Sequence, residues 1–264
     1  MNKLVKAFFA VENSPISRAN PESCEVKFMQ WNLHIAWDMQ NKFNLKRQAD
    51  VILEYAPDVV ILNEVDKCCE RTGKVDMTAV LGTLTGMPFT QFCGAWLVPP
   101  DGMYGNAVIS RYKLNLVGAW HIPSKLEESR TMTLLLVEAP DPFYVAVTHL
   151  NAHPGELNNS VRVEAVKAIA ELLEKYAVVY PVILGGDFNC ELGSDPVNVL
   201  DAAGWKLEQP LKTWPSNGAT QSLDHVFTRK SDSALQVVSR EVGDAQGASD
   251  HLPVISNLKI YSVK

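Results

Sequence analysis

Six strand-length apolar runs in this chain lie against polar residues at one end, and that recurrence limits the fold more than any other feature. Runs finish at Asn32 in "MQWNLH", at Glu64 in "ILNEVD", at His149 and Asn151 in "VTHLNAH", and at Asp187 and Asn189 in "ILGGDFN". Asp224 in "SLDHVF" and the Asp250–His251 pair in "ASDHLPV" border two more. A single such end is turn chemistry, because Gly, Asp and Asn supply the backbone freedom and local hydrogen bonds that turns use. Six, each rich in carboxylate, carboxamide or imidazole, require a fold that gathers strand ends in one place.

The order of elements narrows that fold. Strand-like segments at 26–35 and 58–65 flank a helical face of Leu45, Ala49, Ile52, Leu53 and Ala56, and "DMTAVLGTLTG" reads as a second helix. "GNAVISRY", "LNLVGAWHI", "TMTLLLVEA" and "FYVAVTHL" then follow with short turns, as an antiparallel meander does. Ser160 caps a long helix carrying Val163, Val166, Ile169, Leu173 and Tyr176 at helical spacing, which leads into "PVILGGDFN". A short helix follows Asp195 and Pro196, and "SLDHVFTR", "ALQVVSREV" and "HLPVISNLKI" complete the chain. Strand–helix pairs in both halves, with antiparallel strands between, predict two packed, mainly antiparallel sheets with helices outside. Residues 1–25, with Pro15 and Pro21, read as an irregular arm, and 26–264 as a single domain without internal repeats.

Composition excludes several classes. No apolar run approaches the roughly 18 residues of a membrane span, and "KLVKAFFAV" is too short and too poor in small residues for a signal peptide. Five cysteines without a CxxC pair indicate neither a zinc site nor a disulfide framework, so reduced thiols in a cytoplasm are the expectation. With 24 Lys and Arg against 30 Asp and Glu, the chain lacks the basic excess that long nucleic acid demands.

The strand-end residues make chemical sense together. Asn32, Glu64 and Asp250 offer hard oxygen ligands and no thiolate, which suits magnesium or manganese. Asp224 is suited to hold His251 in one tautomer and to stabilise its cation. Asp187 and Asn189 then serve to position an attacking water.

In order, "WN", "NEVD", "YGNAVISR", "THLNAH", "GGDFN", "SLDHVF" and "SDHLPV" resemble the endonuclease/exonuclease/phosphatase superfamily from about residue 26 to the C-terminus. That resemblance implies a four-layer α/β/β/α sandwich and metal-dependent hydrolysis of a phosphoester. It makes Asn32, Glu64 and Asp250 metal-site residues, Asp187 and Asn189 the pair that orients water and phosphoryl oxygens, Asp224 and His251 the Asp–His pair, and His149 a second histidine. Asn106 and Arg162 match positions near the phosphate, although Ala165 stands where Gln often follows that arginine, and "NEV" replaces the commoner "QE". Asn151 and Arg111 join the candidate substrate contacts, an arginine paired with a carboxylate being the equal alternative for Arg111.

His153 and His225 read as solvent or packing residues, Arg71 and Lys74 as part of a solvated loop, and Trp37, Trp96 and Trp214 as core or rim. The leading reading is a magnesium-dependent phosphodiesterase or phosphatase acting on a small or lipid-derived phosphoester. A nuclease built on the same core and a catalytically inactive binding module are its rivals. The acidic total weighs against the first, and the intact set of polar strand ends against the second.

Overall fold

A computed structural model describes residues 23–124, 128–207, 209–229 and 234–263; the expected N-terminal arm lies, up to residue 22, outside them. Two six-stranded sheets form the centre. The first contains β1 (Ser23–Asn32), β2 (Val59–Lys67), β3 (Phe89–Val98), β4 (Gly102–Ser110), β11 (Leu235–Val242) and β12 (Val254–Tyr261), in the order β11-β12-β1-β2-β4-β3. The second contains β5 (Leu114–Ile122), β6 (Arg130–Val137), β7 (Phe143–His149), β8 (Val182–Asp187), β9 (Trp205–Lys206) and β10 (Asp224–Arg229), in the order β5-β6-β7-β8-β10-β9.

Each sheet has one parallel pair, β1 with β2 and β7 with β8, and antiparallel neighbours otherwise. A parallel pair needs a crossover. Helix α1 (Leu45–Tyr55) supplies it in the first sheet and α3 (Glu156–Ala177) in the second. Helices α2 (Met77–Thr85) and α4 (Asp195–Ala202) complete the outer layers.

Three apolar layers hold the four structural ones together. Phe28, Ile61, Val108, Val147, Ile183 and Val226 fill the space between the sheets. Met29, Trp31, Val60 and Leu62 face α1 and α2, while Leu184 and Phe227 face α3 and α4. Each fully buried large side chain contributes ~2 kcal/mol. Alternation along the strands therefore assigns every residue to a layer: Phe28, Gln30 and Asn32 on β1, and Val59, Ile61 and Asn63 on β2, all point between the sheets.

Two sequence expectations change. The four-strand meander is split, because β4 pairs with β2 and β3 and only β5, β6 and β7 run on as a meander in the other sheet. The physical reason is burial: β4 is apolar on both faces, with Val108 between the sheets and Ala107 and Ile109 toward the helices, so it takes an interior place. Strand β5 alternates with exposed residues such as Leu116 and takes an edge. Helix α3 begins at Glu156, not at a Ser160 cap, and the Ser160 hydroxyl instead donates to the Glu156 carbonyl inside the helix.

Candidate active site

Parallel pairing brings the carboxyl ends of β1, β2, β7 and β8 to one edge of the sandwich, where the antiparallel β10 and β12 begin. Asn32, His149 and Asp187 are the last residues of their strands, and Asp224, opposite Asp187 in the register, is the first of β10. Glu64 reaches the same edge through a bulge: the β2–β4 register shifts between Leu62 and Val65, and Glu64 sits at φ 57°. A left-handed backbone costs a non-glycine residue ~1–2 kcal/mol, and bulges of this kind re-aim side chains at the rims of sheets.

The Asp–His pair is formed. His251 Nδ1 lies 2.7 Å from Asp224 Oδ2, with both side chains buried. Burial disfavours the imidazolium, but the Asp224 charge and hydrogen bond outweigh it and hold His251 at about 10. Burial likewise disfavours the carboxylate of Asp224, and the charge and hydrogen bond of His251 reverse that too, lowering it below its usual value. The other ring nitrogen, Nε2, is 3.8 Å from Asp187 Oδ2.

Asp187 is raised to about 7, first by burial and then by the neighbouring Asp224 charge. Its Oδ2 accepts from Asn32 Nδ2 at 3.0 Å, and its Oδ1 from the Asn189 N–H at 2.9 Å. Asn32 Nδ2 also donates to Glu64 Oε1 at 3.1 Å, while Asn32 Oδ1 accepts the His34 N–H at 3.0 Å. Asn32 therefore braces two carboxylates that belong to different sheets.

Asn189 fixes the state of His149. Its Nδ2 donates to the Leu150 carbonyl at 3.1 Å, which can only accept, and lies 3.1 Å from His149 Nε2. That ring nitrogen accepts in this arrangement, which puts the proton of a neutral His149 on Nδ1, a buried atom with no hydrogen-bond partner. Burial agrees, pushing His149 well below the usual histidine value.

A cleft of about 480 Å³ opens beside these groups, lined by His251, Asn189, Arg162, His153, Trp214 and Leu223 among others. Trp214 is anchored to Asp250 Oδ2 through Nε1 at 3.3 Å. Arg162 is buried, and its guanidinium donates to the carbonyls of Asn151 and His153 at 2.8 and 3.0 Å.

The remaining expected contacts have partners within the protein. Asn151 spends its side chain in the loop before α3, donating to Asn158 Oδ1 and accepting the His153 N–H. Asn106 is buried in β4, where its Oδ1 accepts from Asn63 Nδ2. Arg111 lies at the opposite end of the first sheet, donating to the Pro57 carbonyl with Asp58 Oδ1 3.9 Å away. Arg71 is exposed on its loop, as expected, and makes a bidentate pair with the buried Asp66.

A family model described as the Endonuclease/Exonuclease/phosphatase family matches residues 29–251. The chain belongs to the endonuclease/exonuclease/phosphatase family. Solved structures share the fold. An endonuclease/exonuclease/phosphatase from Beutenbergia cavernae is 23% identical at a TM-score of 0.73, over 90% of this chain and 72% of that one. The human Nocturnin catalytic domain with bound sulfate is 21% identical at 0.64, over 91% and 97%. A humanised D. rerio TDP2 is 16% identical at 0.59, over 89% and 98%. No curated protein sequence matches the chain.

Members of the endonuclease/exonuclease/phosphatase family are typically divalent-metal-dependent hydrolases of phosphoesters. The donor set here fits a divalent cation. Glu64, Asp187, Asp224 and Asp250 gather around His251, with His34 Nδ1 3.9 Å from Asp250 Oδ1, an oxygen that is buried with no hydrogen-bond partner. Oxygen donors in excess of local positive charge are what magnesium and manganese take.

Sequence reasoning assigned no role to Gln30, Asn63, Thr213 or Ser249, Asn63 entering only as the first residue of the "NEV" that departs from the commoner "QE". Gln30 Nε2 donates to Asp224 Oδ1 and Asn63 Oδ1, both at 3.0 Å. Ser249 donates to the Asn32 carbonyl and accepts the His251 N–H, tying the Asp250–His251 loop to β1. Thr213 Oγ1 accepts the Asp224 N–H at 3.4 Å. Alternation was the available signal for the first two, since Gln30 and Asn63 fall on the apolar phase of their strands and are polar.

Proposed function

We propose that this chain is a metal-dependent hydrolase of a small or lipid-derived phosphoester, using magnesium or manganese. The observation that carries the reading is the buried Asp224–His251 pair set against Asp187, with His251 and Asn189 lining the cleft.

Glu64 and Asp250 would hold the metal, with Asn32 bracing Glu64. A divalent ion held there would supply Lewis-acid neutralisation of charge on the phosphoryl group. His251 stays protonated at neutral pH and, with Nδ1 committed to Asp224, offers its Nε2–H to a phosphoryl oxygen that gains charge as water attacks. Asp187, near 7, is tuned to take a proton from that water while the water oxygen bonds to phosphorus and the ester P–O bond breaks. Asn189 is held by His149 and Leu150 through Nδ2, which leaves its carbonyl oxygen to orient the water.

The cleft supports a small leaving group. Its volume of about 480 Å³ falls within the roughly 300–1,000 Å³ of small-molecule sites, and Arg162 is the one Lys or Arg among its lining residues. A screen of phosphomonoesters, diesters, phospholipids and oligonucleotides with magnesium or manganese tests the reading. A small ester should show the highest kcat/KM, with only modest loss between low and physiological salt. Efficient duplex cleavage with steep inverse salt dependence, and no turnover of small esters, would favour a nuclease instead.

A further inference from the structure

We infer that Asn63 is a positioning residue that sets the two halves of the site against each other, an inference that rests on the hydrolase reading above. Alternation along β2 puts Asn63 between the sheets, one peptide before Glu64, in a phase otherwise held by Val59 and Ile61. An amide there breaks the apolar pattern, and such departures mark functional sites when the group is fully satisfied.

It is fully satisfied. Asn63 Oδ1 accepts from Gln30 Nε2 at 3.0 Å and from the Asp187 N–H at 2.9 Å. Its Nδ2 donates to Asn106 Oδ1 and to the Thr148 carbonyl, both at 2.8 Å. The amide's orientation follows from its backbone partners, since an N–H can only donate and a carbonyl only accept. The four partners lie on β1 and β4 of its own sheet and on β7 and β8 of the other.

Two consequences follow for the chemistry. Asp187 is pinned through its backbone to the residue adjacent to Glu64, so one side chain sets the offset between a metal-site carboxylate and the carboxylate that faces water. Gln30, bound to the same Oδ1, also donates to Asp224 Oδ1 and so carries the register to the anion that orients His251. The apolar layer beneath holds the sheets together without specifying this offset, because contacts among Val and Ile side chains are non-directional.

The test compares Asn63→Leu and the milder Gln30→Met with the unaltered protein by three readouts, at a temperature where each is folded. Amide hydrogen exchange at Asp187 is measured relative to Leu184, Mn2+ affinity by titration calorimetry, and kcat and KM with bis(4-nitrophenyl) phosphate. Positioning predicts at least ~10-fold faster exchange confined to Asp187 in Asn63→Leu. It also predicts ~10–100-fold losses in Mn2+ affinity and kcat, the range for removing a group that orients metal ligands, with KM within about twofold. Gln30→Met should show a smaller loss, and the double variant should lose less than the product of the two single losses, because both act through one network while Gln30 keeps its own contact with Asp224.

If Asn63→Leu does not fold, Gln30→Met alone decides, through lowered kcat at unchanged KM. A uniform rise in exchange with kcat and Mn2+ affinity intact would make Asn63 a core residue and overturn the inference, as would single-variant losses that multiply in the double variant. An unaltered protein that neither binds Mn2+ nor hydrolyses the ester overturns the hydrolase reading itself, and the inference with it.

Discussion

Removing the charge of Asp224 while keeping its shape is the sharpest perturbation of this site. Asp224 Oδ2 and His251 Nδ1 are 2.7 Å apart, with side chains 0% and 8% exposed. At an effective dielectric of about 20, unit charges at that distance attract by roughly 6 kcal/mol. The rise of His251 from 6.5 to about 10 corresponds to roughly 5 kcal/mol of preference for the imidazolium, the same order, left after burial has worked against it. In Asp224→Asn burial remains and only the carboxylates without a hydrogen bond to the ring, Asp187, Asp250 and Glu64, still favour the charge, so His251 should fall to the ordinary histidine range.

At pH 8 the ring would then be mostly neutral and kcat should drop ~10²–10⁴-fold, the span of a positioned acid or base. Part of the loss should return as the pH is lowered toward 6 and the imidazolium reforms. The assay is kcat between pH 5 and 9, alongside an NMR titration of the His251 ring in metal-free protein. A variant ring still titrating above 9, or kcat within about threefold of the unaltered protein at pH 8, would refute the argument. Stability follows the same sign. Folded His251 binds its proton more tightly than the unfolded chain, so the pair's contribution is complete between the usual carboxylate range and about pH 6.5, is lost as pH rises toward 10, and is lost in acid as the depressed Asp224 protonates.

Exhaustive chelation should abolish hydrolysis, and magnesium or manganese should restore it; activity that survives chelation refutes the metal role of Glu64 and Asp250. His225 is buried, with Nε2 donating to the Cys190 carbonyl at 2.7 Å, and burial lowers its pKa. Its depressed value means that it contributes stability above pH 6.5 that is lost as pH falls, whereas Asp187 and Glu64, both raised, act with the opposite sign. The comparison is therefore with His225→Phe, whose melting temperature should fall less between pH 7.5 and 5 than that of the unaltered protein. Parallel curves by scanning fluorimetry would refute the assignment.

Family, layer architecture and the residue types of the site were readable from the sequence because each rests on local pattern. Two-residue alternation marks strands, helical spacing marks α1 and α3, and a carboxylate or amide on an apolar run marks a strand end wherever the run pairs. Asp187, Asn189, Asp224, Asp250 and His251 needed only that signal. The partners of those residues were decided by tertiary structure. Asn32 could be read as an oxygen donor from its type, yet the His34 N–H takes that oxygen and turns the amide hydrogens toward Glu64 and Asp187. Arg111 and Asn151 have suitable chemistry, but the connection from β4 to β5 carries one to the far end of the sheet and the loop before α3 consumes the other. Asn63 stood out in "NEV" but could be given no role, because its meaning depends on β7 and β8, 85 and 124 residues away in sequence. Local sequence sets which face of a strand a side chain occupies; which strand of the other sheet meets that face depends on how two complete sheets pack, and no spacing within one strand encodes it.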